Sequence, residues 1–348
     1  MIDILLTFLL IVLLVVGLFW KAKPRVNGEG FFDKDYTNTL KGISSIVVIF
    51  VHIYGPYRNP VQDAVGNFAF ACVTGFFVIS SFGMQYSLDY NPKYLASFPV
   101  NRLTSLLIPN VVTNIVCWSM YYLVGAEYDL SILWMINWYT LTLLEYCLLF
   151  YVVNLLAAKF RWKHHFCDMI LIAYVVGSSL YLYLTMDKGP FIWWSIERMG
   201  LIWGLLLYRH YNVVLQWFNR GFKAKIIAIL FACIGLGLLF MYYKQVPFIR
   251  DYLLKIVLAG AIILFYIAVN HKIKLVNGFT KMLGAISYET FLIHFSVLYA
   301  VYLTNSTLSS GIYIWSVIVI TLTLSYISHL IDAPIVGAAK TLFRRIHR

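Results

Sequence analysis

The chain has 348 residues, 61% hydrophobic and only 12% charged, where a soluble domain runs near 25% charged. Roughly 210 apolar residues supply about ten membrane spans of ~20 residues each, and a mean hydropathy of +0.78 agrees, so a soluble globular protein is excluded. The net charge of +12 would point a soluble protein toward nucleic acid; in a membrane protein it belongs first to cytoplasmic loops, and no nucleic-acid partner is expected.

The first apolar run, Ile4 to Trp20, has no basic residue before it and no small-residue cleavage site after it. Lys21, Lys23 and Arg25 follow, so it reads as a retained anchor with an outward N-terminus. Ten more apolar segments are expected at about 40–57, 68–88, 103–124, 132–157, 168–185, 191–209, 225–242, 253–269, 283–303 and 311–331. The joints between them are short and carry Pro, Gly, Asn and charge. The fold class is therefore an all-α polytopic membrane protein of about eleven spans. Its parts are an anchor with a basic loop (1–35), a ten-helix membrane domain (36–335) and a basic cytoplasmic tail (336–348). The tail reads either as a short interfacial helix on an anionic leaflet or as a plain solvated segment. The five cysteines show neither a CxxC pair nor metal spacing, so no metal is expected.

Charge sets the expected orientation. Placing 21–41 in the cytoplasm puts about 21 of the 27 basic residues in alternate joints and the tail, all on one side. The N-terminus is then outside, the C-terminus cytoplasmic, and the setting a plasma or inner cell membrane.

Ionisable groups inside spans cost several kcal/mol, so each needs a function or a partner. Depth follows from a rise of 1.5 Å per residue measured from the nearest cytoplasmic charge. His52 comes out ~16 Å deep, Glu197 and Arg198 ~17 Å, Asn114 ~18 Å, His294 ~19 Å and Glu145 ~21 Å. Polar groups from five spans thus share the level of the midplane of a ~30 Å core, which makes a candidate polar chamber. Glu197 and Arg198 are as open to a structural role, neutralising each other or pairing across helices as glue, as to a functional one, and a single intramembrane histidine is often a helix–helix hydrogen bonder.

The run from Leu40-Lys41-Gly42-Ile43 to His52 resembles the opening motif of acyltransferase family 3, integral-membrane proteins that O-acylate cell-surface glycans and related acceptors. Phe76-Phe77-Val78-Ile79-Ser80 is similar to that family's second span, and Phe98 to Pro109, with Arg102, to its third. Trp138-Tyr139, Ser287-Tyr288, Leu292-Ile293-His294 and Asp332-Ala333-Pro334 follow in order. The resemblance covers about residues 36 to 345. Lys41 replaces the usual Arg, and Ser105 stands where the second Arg of an Arg-x-x-Arg motif falls.

The resemblance implies transfer of an acyl group, acetyl in most members, from cytoplasmic acyl-CoA to a hydroxyl of a surface or lipid-linked saccharide. Acyl-CoA is then a co-substrate, with no permanently bound cofactor; the other partners are the saccharide and membrane lipids. It assigns His52 as the catalytic residue and Lys41 and Arg102 as the acyl-CoA-binding cations. A neutral imidazole, with its ordinary pKa near 6.5, suits removal of the hydroxyl proton. His294, Glu145, Glu197, Arg198 and Asn114 are expected in support, orienting an imidazole or stabilising the oxyanion. The rival reading is a proton-coupled transporter or flippase of a saccharide or lipid using the same groups as a relay. A non-catalytic family-like partner is a third.

Overall fold

A computed structural model of the chain describes residues 2–26, 30, 32–126, 129–185, 193–243, 246–304 and 307–346. Residues 191–192, which open the seventh expected span, and Arg348, counted with the tail, lie outside them. Each of the eleven expected segments is helical. Eight of the described helices are long and apolar enough to cross a membrane, or nine if a pair bent by 68° counts as one span.

The segment expected as an anchor is α1 (Ile2–Phe19), which turns Leu5, Phe8, Leu13 and Val16 outward and is long and apolar enough to cross a membrane. Its exit loop is tied down. β1 (Lys23–Pro24) pairs antiparallel with β2 (Ile273–Lys274), and buried Arg25 donates from Nε to the Asn270 carbonyl at 2.9 Å. Nη1 of Arg25 meets the Asp33 carboxylate at 2.7 Å.

Asp33 also caps α2 (Lys34–Val51) by accepting the Tyr36 N–H at 2.7 Å, satisfying one of the free amides of the first turn. Lys34, Asp35 and Lys41 make α2 less apolar than the outer helices. Neighbouring helices bury it instead, with Ile46, Val48, Ile49 and Phe50 at 2% exposure or less. A helix wrapped in protein needs no lipid-facing apolar surface, which explains why α2 stands outside the set of eight.

α3 (Pro60–Gly66), opened by an Asn59–Gln62 capping box, folds back against Phe50 and leads into α4 (Ala69–Tyr90). α5 (Tyr94–Leu123) begins nine residues before the expected start and carries Pro99 and Pro109 within it. α6 (Trp138–Phe160) and α7 (His164–Thr185) follow. The span expected at 191–209 is broken into α8 (Trp193–Glu197) and α9 (Gly200–Arg209), with the turn at Arg198 and Met199. Gly200 and Gly204 lie directly on the Thr74 and Val78 carbonyls of α4, a contact that any Cβ would block.

α10 (Tyr211–Asn219), α11 (Phe222–Tyr242) and α12 (Lys255–Lys272) close one flank. α13 (Gly278–Ala285) and α14 (Ser287–Thr304) form the bent pair, and α14 lies against α2, α5 and α15 (Ser310–Ile346). α15 is one helix running through Pro334, so the described tail continues the last span and is neither a separate interfacial helix nor unstructured.

The basic joints gather at one end. Arg209 grips Asp168 of α7 through Nε at 2.9 Å and Nη2 at 3.0 Å, and its Nη1 lies 3.6 Å from Asp89 of α4. Lys274 pairs with Asp35 at 3.1 Å, and Lys340 of α15 donates to Ser105 of α5 at 2.6 Å. This is the end where α2 starts; His52 lies at the other end of α2.

Candidate active site

α2 stops one residue before His52, which caps its C-terminus with φ −96° and ψ 2°. Helix was expected to run to residue 57. Instead the His52 N–H closes a tight turn on the Ile49 carbonyl, and Gly55-Pro56 opens a 3₁₀ turn (Gly55–Tyr57), since proline offers no N–H to continue the ladder. His52 is therefore half-buried at a helix end and not enclosed within a span.

His294, from the middle of α14, faces it. The ring centroids of His52 and His294 are 5.3 Å apart, and Phe295 lies 4.2 Å from the first and 4.5 Å from the second. His294 is 1% exposed. Its Nδ1 lies 2.7 Å from the Phe291 carbonyl, an acceptor only, so that nitrogen carries the proton. Nε2 is left with its lone pair, buried and without a hydrogen-bond partner among the described residues. A fixed tautomer with a free basic nitrogen is what a proton acceptor requires.

Phe76, Phe77 and Tyr139, quoted from the motifs, converge beside this pair around Phe291, which the motifs did not include. Phe291 packs on Tyr139 at 4.9 Å and Phe76 at 5.8 Å, while Phe77 meets Tyr139 at 5.0 Å. Tyr288 donates to the Leu106 carbonyl at 3.0 Å and meets Thr140 Oγ1 at 2.7 Å, joining α14, α5 and α6.

The other members of the expected chamber go elsewhere. Glu145 and Arg198 face each other at 3.7 Å, Arg198 donates to Ser178 at 2.7 Å, and Tyr174 donates to Glu145. This second polar cluster ties α6, α7 and the α8–α9 turn. Glu197, 5% exposed, keeps one carboxylate oxygen without a hydrogen-bond partner among the described residues. Asn114 binds the loop before α6, donating to the Met135 carbonyl at 2.8 Å and the Leu133 carbonyl at 3.4 Å. Equal depth does not imply equal azimuth: these side chains share a level but leave their helices in different directions.

At the basic end Arg102 donates to the Tyr94 hydroxyl at 3.0 Å, with its guanidinium 5.6 Å from the Phe98 ring. Lys41 is half-buried, and the carboxylate whose field reaches it is Glu289. Glu289 belongs to a cluster that no single motif revealed. His329 Nδ1 lies 2.7 Å from Glu289 and 3.7 Å from Asp332, and the three ligand-type atoms fall within 4.8 Å of one another. Glu289 is 3% exposed and Asp332 1%. Buried carboxylates need a compensating partner: the charge of Lys41 interacts with that of Glu289, and the His329 ring lies within hydrogen-bond distance of Glu289. Only Asp332 was marked in the sequence; the one local signal for the rest is the i,i+3 spacing of His329 and Asp332 on α15, and Glu289 comes from α14.

No curated protein and no solved structure matches the chain. Its residues 34–330, most of its length, match the acyltransferase domain model of family 3. The chain belongs to acyltransferase family 3.

Proposed function

We propose that the protein moves an acyl group, acetyl in the first instance, from acyl-CoA to a hydroxyl of a cell-surface or lipid-linked saccharide. The observation that carries this reading is the free, buried Nε2 of His294 set against His52 in a chain of acyltransferase membership. Lys41 and Arg102 hold the donor's phosphates at the basic end. The acyl arm then runs past Tyr288 and Phe291, which precede His294 by six and three residues, or ~9 Å and ~4.5 Å of helix.

His52 takes the proton from the acceptor hydroxyl, and His294 shares the positive charge that results. The hydroxyl oxygen bonds to the thioester carbon, the carbon–sulfur bond breaks, and the proton passes from imidazole to the departing thiolate. General-base help of this kind contributes 10²–10⁴-fold in rate.

A saccharide acceptor fits the far end of α2. Tyr54 and Tyr302 lie 5.4 Å apart, and Tyr121 and Tyr299 5.9 Å apart, all half-buried or exposed beside His52. Such rings offer apolar faces to a sugar and hydroxyls to its polar edge. The setting is a cell membrane with the basic end in the cytoplasm, where acyl-CoA is supplied.

A second reading, a proton-coupled transporter, would draw on buried Glu197 and the Glu145–Arg198 pair. One assay decides. Cells with and without the gene, labelled with radioactive acetate, should differ in alkali-labile acetyl groups on surface glycans. Equal labelling, together with no acetyl transfer by purified protein given acetyl-CoA and extracted glycolipid, removes the acyltransferase reading.

A further inference from the structure

We propose that Lys340, with Arg102, Ser105 and Arg344, forms a phosphate-binding site, in which a cation from the last helix fills the place that Ser105 leaves empty on α5. Acyl-CoA as its occupant rests on the function proposed above; the site itself does not.

Two helices far apart in sequence bring the groups together. Lys340 Nζ donates to Ser105 Oγ at 2.6 Å, across 235 positions of chain. Arg102 lies three residues before Ser105 on α5, and Arg344 four residues after Lys340 on α15, so each helix turns both of its residues to one face. Among the described residues Arg102 spends one donor, on Tyr94, and keeps the rest of its guanidinium.

Among the described residues, no carboxylate is one of the groups that act on Lys340 or Arg102. The charges that act on Lys340 are those of Arg102 and Arg344, both positive. The groups that act on Arg102 are Tyr94, Tyr139 and Cys147, with no carboxylate among them. Like charges are thus drawn together, two of them half-buried, with nothing among these neighbours to offset their repulsion. A multiply charged anion reverses the sign. Phosphate suits the set, because its oxygens accept from several directions at once, from the Arg fork, the Lys point charge and a hydroxyl. Ser105, while accepting from Lys340, still has its own O–H to donate.

Lys340 also lies beyond residues 34–330, so it belongs to this chain's continuation of α15 and not to the family's matched domain. Without the unbroken run of α15 through Pro334 it would not reach α5.

The test uses full-length protein in phosphatidylcholine nanodiscs, with coenzyme A, inorganic pyrophosphate and added phosphatidylglycerol as probes. Lys340→Gln, which keeps a donor for Ser105, should weaken phosphate binding roughly tenfold. Lys340→Arg should bind as wild type does, and Ser105→Arg on the Lys340→Gln background should recover most of the loss. Coenzyme A and pyrophosphate weakened together supports a site for the donor's phosphates. Loss confined to phosphatidylglycerol keeps the phosphate site, assigns it to a lipid headgroup and removes this support from the acyl-CoA reading. Unchanged affinity for all three probes in Lys340→Gln and in Lys340→Gln/Arg344→Gln overturns the site, as does wild-type protein that binds none of them.

Discussion

His294 holds its Nδ1 on the Phe291 carbonyl at 2.7 Å while its ring sits 5.3 Å from that of His52. The backbone of α14 thereby fixes the tautomer, and the free Nε2 cannot be satisfied by rotation without breaking that bond. The two imidazoles are therefore expected to act as one unit. His52→Ala should lower acetyl transfer 10²–10⁴-fold, or roughly 3–5 kcal/mol of barrier, while coenzyme A still binds. His294→Ala should fall within about tenfold of that loss, and the double variant should be no worse than His52→Ala alone, since groups that act together are grossly non-additive. Multiplicative losses in the double variant would show two independent roles and overturn the single unit. A His52→Ala protein that transfers acetyl at near wild-type rate ends the mechanism.

The Arg209–Asp168 fork makes a prediction about assembly. Its two bonds, at 2.9 and 3.0 Å, link α9 to α7, and Asp89 adds a contact from α4. Lysine supplies the charge but not the planar fork. Arg209→Lys should lower the thermal unfolding midpoint of detergent-purified protein, and Arg209→Ala further, with a cost of roughly 1–3 kcal/mol for charge-assisted bonds that are only partly shielded. Unaltered midpoints in both variants would reduce the fork to a surface pair.

Orientation is tested by accessibility. The gathering of the basic joints at one end predicts that a single cysteine at Lys163 or Lys281, in a cysteine-free background, is protected from impermeant maleimide in intact cells. Cysteines at Asp129 and Ser309 should be labelled. The reverse pattern would place Lys41 and Arg102 away from cytoplasmic acyl-CoA and remove them as donor ligands.

Much of the architecture is legible in the sequence because apolar length and loop charge are one-dimensional signals. Each of the eleven segments is mostly helical among the described residues, one of them broken in two, and the basic joints do share an end. What fails is azimuth and continuity. Helical rise gives the depth of Glu145, Arg198 and Asn114 but not the direction in which they leave their helices, so one expected layer becomes a histidine pair, an ion-pair cluster and a loop tie. The break at Arg198 and the direct seating of Gly200 and Gly204 on α4 arise from packing between helices. The Gly200-x-x-x-Gly204 spacing is the signal that could have marked this seat. The partnership of Ser105 with Lys340 spans 235 positions, and no local pattern encodes it.

Lys41 offers the sharpest test of how charge is shared at the basic end. The family resemblance assigns it to the donor, a role that by itself asks nothing of Lys41 in holding the fold. In the structure the carboxylate that acts on it electrostatically is Glu289, which is 3% exposed, has one oxygen without a hydrogen-bond partner among the described residues, and lies in a cluster with His329 and buried Asp332. Removing one member of a buried charge set leaves the others uncompensated, at a cost of about 3–5 kcal/mol in enclosed sites and less for a half-buried group such as Lys41. Lys41→Ala should therefore destabilise the protein as well as weaken coenzyme A binding. Glu289→Gln should restore much of the stability of Lys41→Ala without restoring the binding, because it removes the orphaned charge and supplies no cation. Lys41→Arg should preserve both. The readouts are the unfolding midpoint and the coenzyme A dissociation constant across the four proteins of the Lys41→Ala/Glu289→Gln cycle. Additive midpoints across that cycle would show that Lys41 does not balance Glu289, and unchanged coenzyme A binding in Lys41→Ala would leave the donor to Arg102 and Lys340.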